Sequence, residues 1–267
     1  MVKMIASDMD GTLLDEEGNI PEETFQLIED LNEAGIHFAA SSGRRLDTLL
    51  EFFAPVAGHM DFVASNGAQV MVGGTLVDLE VFSRVALKKL VKMTAAFRSM
   101  HLAVFDSVNS YLLDDEACFE RELDKNLPRP VRVHDLPGAE VNIVKASVYC
   151  DDAIMDMSYA LTRELGDDFV FAPSGSKWID VMQRGVNKAT GMRQVMDERH
   201  VGAEDVMAFG DAMNDYELLR VVGTPVAMGN ARSAIKQIAV KTIGTNADHS
   251  VQAEMRSLVQ AAQAGER

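Results

Sequence analysis

The first third of the chain alternates short apolar runs with amphipathic stretches, and few folds allow that alternation. Val2 to Ser7, Ile36 to Ser41 and Asp61 to Ser65 are of strand length and apolar enough to be buried. Between the first two, Pro21 opens a helix where its missing N–H costs nothing, and Gly35 closes it. Phe25, Ile28, Leu31 and Ala34 fall on one face of that helix. Leu46 to Phe53 predicts a second helix, stopped before Pro55. A β-α-β-α-β order means a parallel sheet with right-handed crossovers, hence an α/β fold. Gln69 to Leu79, broken by Gly73-Gly74, predicts a hairpin.

The rhythm changes after Phe82. Helices are expected over Ala86 to Met100, Glu116 to Asn126 and Ala153 to Leu165. Strands are expected over His101 to Phe105, Ser110 to Leu113, Val141 to Tyr149, Phe169 to Ala172 and Trp178 to Met182. Pro128, Pro130 and Pro137-Gly138 mark a loop-rich stretch. Helices with antiparallel strands suggest an inserted α+β domain over residues 82–185, dividing a core of 1–81 and 186–267. From Lys188 the core pattern resumes: helix to Asp197, strand over Asp205 to Phe209, helix over Asp215 to Val221, strand over Pro225 to Met228, then helices over Ala231 to Ala239 and Ser250 to Gln263.

Charge narrows the function. The 267 residues carry a formal net charge of -16, which argues against a general nucleic-acid binder and against a polybasic membrane surface. Two cysteines, Cys118 and Cys150, make no disulfide framework and are expected as free thiols. No apolar run approaches the roughly 18 residues of a membrane helix, and Asp8 interrupts any signal-like start, so a cytoplasmic enzyme is expected. The six histidines form no metal-binding pair, and no GxxxxGK[ST] phosphate loop exists.

The chemistry gathers at strand ends. In open α/β sheets, ligands bind beyond the carboxyl ends of the strands, where Asp8, Ser42 and Asp211 all fall. Asp8-Met9-Asp10-Gly11-Thr12 offers two carboxylates two residues apart. Asp8 suits a nucleophile that forms an aspartyl-phosphate, and Asp10 suits the acid that protonates the leaving oxygen and later takes a proton from water. Gly11 lets the backbone turn and offers an N–H to phosphate, with Thr12 in support. Ser42-Gly43-Arg44 places a hydroxyl and backbone N–H groups where phosphate oxygens would lie. Lys188 supplies positive charge from the first turn of a helix, an unfavoured end for a purely structural cation. Asp8 and Asp211 are hard ligands for Mg2+, with the main-chain oxygen of Asp10 as a further one. Asn214 would donate to phosphate, and Asp215 would pair with Lys188 or orient a metal-bound water. Taken singly, each of these features is ordinary turn, cap or surface chemistry; their order and placement carry the reading. Lys177 and Trp178, beside the Ser174-Gly175-Ser176 turn, are the candidates for substrate contact in the inserted domain.

These motifs, in this order, resemble the haloacid dehalogenase-like phosphatase superfamily, and the sub-pattern resembles the Cof-type sugar-phosphate phosphatases. Ser65-Asn66-Gly67-Ala68 is similar to their Asn-Gly segment, and Val226-Ala227-Met228-Gly229-Asn230-Ala231 to their late strand-to-helix signature. The resemblance implies a Rossmann-like core with a mobile cap, and a Mg2+-dependent phosphatase of small phosphorylated metabolites. It makes Asp8 the nucleophile, Asp10 the acid/base, Ser42 and Lys188 the second and third motifs, and Asp211 and Asp215 the fourth. The chain departs from the pattern at Ser42 (Thr is commoner), at Ser7 (usually apolar) and at Asp248-His249-Ser250-Val251 (often Asp-Gly-Val). The competing expectations are a phosphosugar mutase of the same architecture, a module that stores phosphate on Asp8 for signalling, and a non-catalytic sensor.

Overall fold

The apolar runs become the centre of a sheet. In the computed structural model, which describes residues 1–113, 127, 130–138, 140–151, 153–174 and 176–265, Met4–Ser7 forms β1 with every residue buried. It pairs in parallel with β2 (His37–Ser41), and the fully buried β3 (Asp61–Ala64) pairs in parallel with β2. Between β1 and β2, α1 (Glu23–Glu33) buries Thr24, Leu27, Ile28 and Leu31. Phe25 and Ala34, expected on that face, lie at its half-buried edge. The buried stripe is centred on Leu27, Ile28 and Leu31. The second helix, α2, runs Leu46–Phe52.

Gly73-Gly74 turns β4 (Gln69–Val72) back against β5 (Thr75–Leu79) as expected, both glycines having positive φ. After the inserted segment, the chain returns to this sheet with β12 (Val206–Gly210) and β13 (Thr224–Ala227), and adds the short β14 (Lys241–Thr242). The strand order is β14-β13-β12-β1-β2-β3-β4-β5; the first six are mutually parallel, β4 runs antiparallel to β3, and β5 antiparallel to β4. In the central register, Ser7 lies opposite Phe209 on one side and Ala40 on the other. The carboxyl ends of β12, β1 and β2 therefore finish level, which brings Gly210-Asp211, Asp8 and Ser42 to one rim.

The chain divides into two compact units, Met1–Leu79 with Asn187–Arg267, and Glu80–Val186. The second has its own sheet, of β6 (Met100–Phe105), β7 (Ser110–Leu113), β8 (Pro130–Val133), β9 (Lys145–Cys150), β10 (Phe169–Ser174) and β11 (Trp178–Gln183). Their order is β10-β11-β9-β6-β7-β8. Its helices among the described residues are α3 (Arg84–Thr94) and α4 (Ile154–Leu165). Three elements differ from expectation, α3 first: the helix expected over Ala86 to Met100 ends at Thr94, and Met100 begins β6. Pro130 begins a strand instead of a loop, at the sheet edge and at a first strand position, where a missing N–H is tolerated. The strand expected from Val141 starts at Lys145, because 141–144 lie outside the ladder. The helix expected over Glu116 to Asn126, with Cys118 and Gly175, lies outside the described residues. Cys150 is buried.

Candidate active site

The site is built where three strands stop. Asp8 follows β1 and is tied to the neighbouring strand by its N–H, which donates to the Phe209 carbonyl at 3.1 Å. Ser7, in a position where an apolar residue is usual, is fully buried, and its hydroxyl donates to the Asp8 carbonyl at 2.8 Å. The chain then turns tightly through Met9–Leu13, with Gly11 at φ +78°. Gly11 is required twice over: the left-handed φ disfavours a side chain, and a Cβ there would meet the Asp211 carboxylate at 2.8 Å.

Lys188 opens α5 (Lys188–Arg199), capped by Asn187 in a reciprocal box with Thr190. That end of the helix comes close because Gly67, at φ +103°, has no side chain; a Cβ would sit 2.1 Å from the Asn187 carbonyl. The Lys188 side chain is fully buried, and its Nζ donates to Asp8 Oδ1 and to Asp215 Oδ1, each at 2.6 Å. The other oxygen of Asp215 accepts the N–H groups of Asp211 and Ala212, both at 3.0 Å. Asp215 thus shapes the loop that carries Asp211. Gly210 makes this approach possible, since a Cβ there would lie 2.6 Å from that of Asp215. Thr12 Oγ1 donates to Asp211 Oδ1 at 3.1 Å.

Two carboxylates share one ammonium, with a third beside them. Burial, and then Asp215, push the Asp8 carboxyl up to about 8 even with Lys188 against it. Burial and Asp215 likewise raise Asp211, against the pull of the Thr12 hydroxyl. For Lys188, burial acts to lower the pKa, but Asp215 and Asp8 together overcome it, and the ammonium is held more firmly than usual. The local surplus is negative. One oxygen from each of Asp8, Asp211 and Asp215 lies within 4.8 Å of the others, so a small, hard divalent cation fits this donor set. Asp215, expected either to pair with Lys188 or to orient a metal-bound water, pairs with Lys188 and also joins this carboxylate group.

Asp10 behaves differently from its neighbour two residues away. Its side chain is 59% exposed and grips Arg44, which donates Nε at 2.9 Å and Nη2 at 2.6 Å. The Arg44 guanidinium also lies over the Phe52 ring, 4.7 Å from its centroid. The Asp10 carboxylate is not among the three that converge.

Ser42 is buried, its N–H donating to the Val63 carbonyl at 2.8 Å and its hydroxyl accepting the Arg44 N–H at 3.1 Å. It precedes α2 by several residues and does not cap it. Ser65 and Asn66 both adopt left-handed φ, 50° and 54°, held by N–H bonds to the Arg44 and Ser42 carbonyls at 2.7 and 2.9 Å. Asn66 sits against Gly43, where a Cβ would lie 3.2 Å from its amide, and accepts from Asn214 Nδ2 at 3.2 Å. The loops carrying Ser42-Gly43, Asn66 and Asn214 are in this way tied to each other. Asn230, given no role from the sequence, donates Nδ2 to the Gly11 carbonyl at 2.7 Å; its place in the late strand-to-helix signature was the available signal.

Lys177 and Trp178 belong to the second unit. Lys177 Nζ donates to the Tyr149 hydroxyl at 2.9 Å, and the Trp178 and Tyr149 rings meet edge to face at 5.4 Å.

A family profile of haloacid dehalogenase-like hydrolases matches residues 5–255. The chain is 30% identical over 249 residues to 5-amino-6-(5-phospho-D-ribitylamino)uracil phosphatase YbjI of Escherichia coli, covering 92% of each. It is 29% identical over 240 residues to the HMP-PP phosphatase of Cronobacter sakazakii, covering 86% of this chain and 85% of that one. Among solved structures, SMU.1108c from Streptococcus mutans superposes with a TM-score of 0.85 at 23% identity, over 97% of this chain and all of that one.

Proposed function

The chain belongs to the haloacid dehalogenase-like hydrolase family, and we propose that it is a Mg2+-dependent phosphatase of small phosphorylated metabolites acting through a phosphorylated Asp8. It is a phosphomonoester hydrolase, and the activities named for its relatives support small phosphorylated metabolites as its substrates. The observation that carries the reading is Lys188, fully buried between Asp8 and Asp215 with Asp211 alongside. No structural economy calls for three carboxylates around one buried ammonium, whereas phosphoryl transfer needs a held nucleophile and concentrated positive charge.

An Asp8 carboxylate oxygen bonds to phosphorus as the ester oxygen departs, and Asp10 gives that oxygen its proton. To do so, Asp10 turns from Arg44, whose two N–H groups occupy both of its carboxylate oxygens. Water then attacks the aspartyl-phosphate while Asp10 takes its proton, and phosphate leaves with Asp8 regenerated. Lys188 neutralises Asp8 and keeps its carboxylate oriented throughout. Gly11, Ser42, Gly43 and Asn214 line the rim as candidates for the phosphate oxygens, with Thr12, Arg44 and Asn66 supporting them. Asp8, Asp211 and the main-chain oxygen of Asp10 would hold Mg2+, which supplies charge stabilisation for the transferring group.

The test is phosphate release across a panel of sugar, nucleotide and cofactor phosphates, with acid-quenched enzyme assayed for hydroxylamine-labile phosphate. Wild type is expected to release free phosphate, to stop in chelator and to recover with Mg2+. Asp10→Asn is expected to be slower by about 10²–10⁴ and Asp8→Asn to be inactive and unlabelled. Turnover of Asp8→Asn at the wild-type rate would overturn the nucleophile assignment, and an isomerised phosphosugar in place of free phosphate would identify a mutase.

A further inference from the structure

The turn after β13 touches both acidic loops at once. The Met228 N–H donates to the Gly210 carbonyl at 3.2 Å and the Arg232 N–H to the Asp211 carbonyl at 2.9 Å. From the same turn, Asn230 Nδ2 reaches the Gly11 carbonyl at 2.7 Å. The turn is itself anchored: Gly229 donates to the Gly244 carbonyl at 2.8 Å, and Lys236 Nζ to the Gly229 carbonyl at 2.6 Å.

The Gly11 carbonyl is a sensitive point of attachment. Its peptide joins Gly11, whose Cα faces the Asp211 carboxylate so closely that a Cβ would lie 2.8 Å from Oδ2, to Thr12, whose hydroxyl donates to Oδ1 of the same carboxylate at 3.1 Å. Rotating that peptide would move both of these approaches to the Asp211 carboxylate. The far end of the loop has separate supports, because Gln252 donates to the Leu13 carbonyl at 3.1 Å and Asn246 to the Leu14 carbonyl at 3.0 Å. Asn230 is thus not needed to keep the loop folded. Its side chain is exposed, so water can replace the lost bond, and what water cannot replace is the direction in which the peptide is held.

We propose that Asn230 is a positioning residue for the divalent-cation site, its amide fixing the Gly11–Thr12 peptide and, through it, the carboxylate of Asp211. This rests on the Mg2+ reading above. Outer partners of metal ligands act in this way in general, by restricting the ligand's orientations before the ion arrives.

The experiment is calorimetric titration of the full chain with Mg2+ alone, together with melting in chelator. Asn230→Ala, and Asn230→Leu, which keeps the shape without the amide, are compared with Asn246→Ala, which frees only the Leu14 carbonyl. Both Asn230 variants are expected to bind Mg2+ about tenfold more weakly while melting as wild type does, and Asn246→Ala to stay within about twofold of wild-type affinity. Unchanged Mg2+ affinity in both Asn230 variants would overturn the proposal, as would an equal loss in Asn246→Ala, which would make the contact a plain loop tether. A wild-type chain that fails to bind Mg2+ would instead remove the metal reading beneath it.

Discussion

Lys188 is the residue on which the site's electrostatics turn. A buried ammonium is tolerated because two carboxylates bond it, and those carboxylates are tolerated because it is there. Removing the charge while keeping the bulk, as in Lys188→Met, orphans both. The expected cost is about 3–5 kcal/mol in chelated protein at neutral pH, with loss of turnover. The pH dependence carries the signature. A carboxyl whose folded pKa is raised, as Asp8 is to about 8, holds a proton in the fold that the unfolded chain releases. Such a group lowers stability progressively as pH rises from the unfolded carboxylate value of about 3.9 toward its folded one. Without Lys188 the Asp8 carboxyl should keep its proton to still higher pH, so the deficit of Lys188→Met relative to wild type should deepen as pH rises through about 8, where Asp8 ionises in the wild type and not in the variant. Urea melts across that range measure it; a deficit independent of pH would mean that the lysine's packing, and not its charge, was lost. Other single residues are explained by close approach more than by charge. His249, at the position where the commoner Asp-Gly-Val pattern has glycine, takes φ +51°, a left-handed conformation that glycine adopts more readily.

At the scale of the element, α5 matters for where it begins and how near it lies. Asn187 and Thr190 cap its first turn, and Gly67 admits it to the loop after β3, so that Lys188 arrives beneath β1. Gly191 completes the approach. Replacing a helix-interior glycine by alanine ordinarily gains about 1 kcal/mol. Here an added Cβ would lie 2.6 Å from Val63 Cγ1 and 3.0 Å from the Gly67 Cα. Overpacking of that kind costs about 1–3 kcal/mol, so Gly191→Ala is expected to destabilise instead of stabilising, and to slow turnover by shifting Lys188. A thermal melt at or above that of wild type would show that the helix yields without cost. The same element shows what a sequence can and cannot disclose. Lys188 in a first helical turn, the glycine-closed α1, the Gly73-Gly74 hairpin and Asp8 beyond a buried strand are local patterns, visible in a few residues of chain. Lys188 meeting Asp8 joins groups 180 positions apart, and Asn230 meeting Gly11 joins groups 219 apart, so only their strand-end placement hinted at the first and nothing local at the second. The Arg44–Asp10 grip was hidden because either side chain could have faced the site. Pro130 misled because proline is an exclusion signal only inside a sheet, not at the first position of its edge.

Among the described residues, the buried apolar clusters of the two units are built from separate stretches of chain. Every residue of the larger buried cluster comes from Met1–Leu79 or Asn187–Arg267, and the clusters of the inserted segment draw only on Glu80–Val186. The insert holds its own aromatic group, Phe82 stacked on Phe169 at 5.6 Å and Phe171 edge-on to Phe169 at 6.0 Å. It is also laced at its margins, with the Phe82 N–H donating to the Ile143 carbonyl at 2.7 Å and the Arg184 N–H to the Asp168 carbonyl at 2.9 Å. A segment that satisfies its own apolar surface and its own edges has what a domain needs to fold alone. The segment Glu80–Val186, expressed by itself, is therefore expected to give a cooperative thermal melt with strand-rich circular dichroism. Asp8, Asp211, Asp215 and Lys188 all belong to the other unit. With the insert replaced by a flexible linker from Leu79 to Asn187, that unit should keep its sheet and bind Mg2+ within about tenfold of the full chain, since outer-shell contacts to these carboxylates stay intact. Excised insert that stays unfolded would mean that its interior depends on the remainder of the chain. A core that folds yet no longer binds Mg2+ would mean that the charge arrangement around Lys188 is completed from outside its own unit.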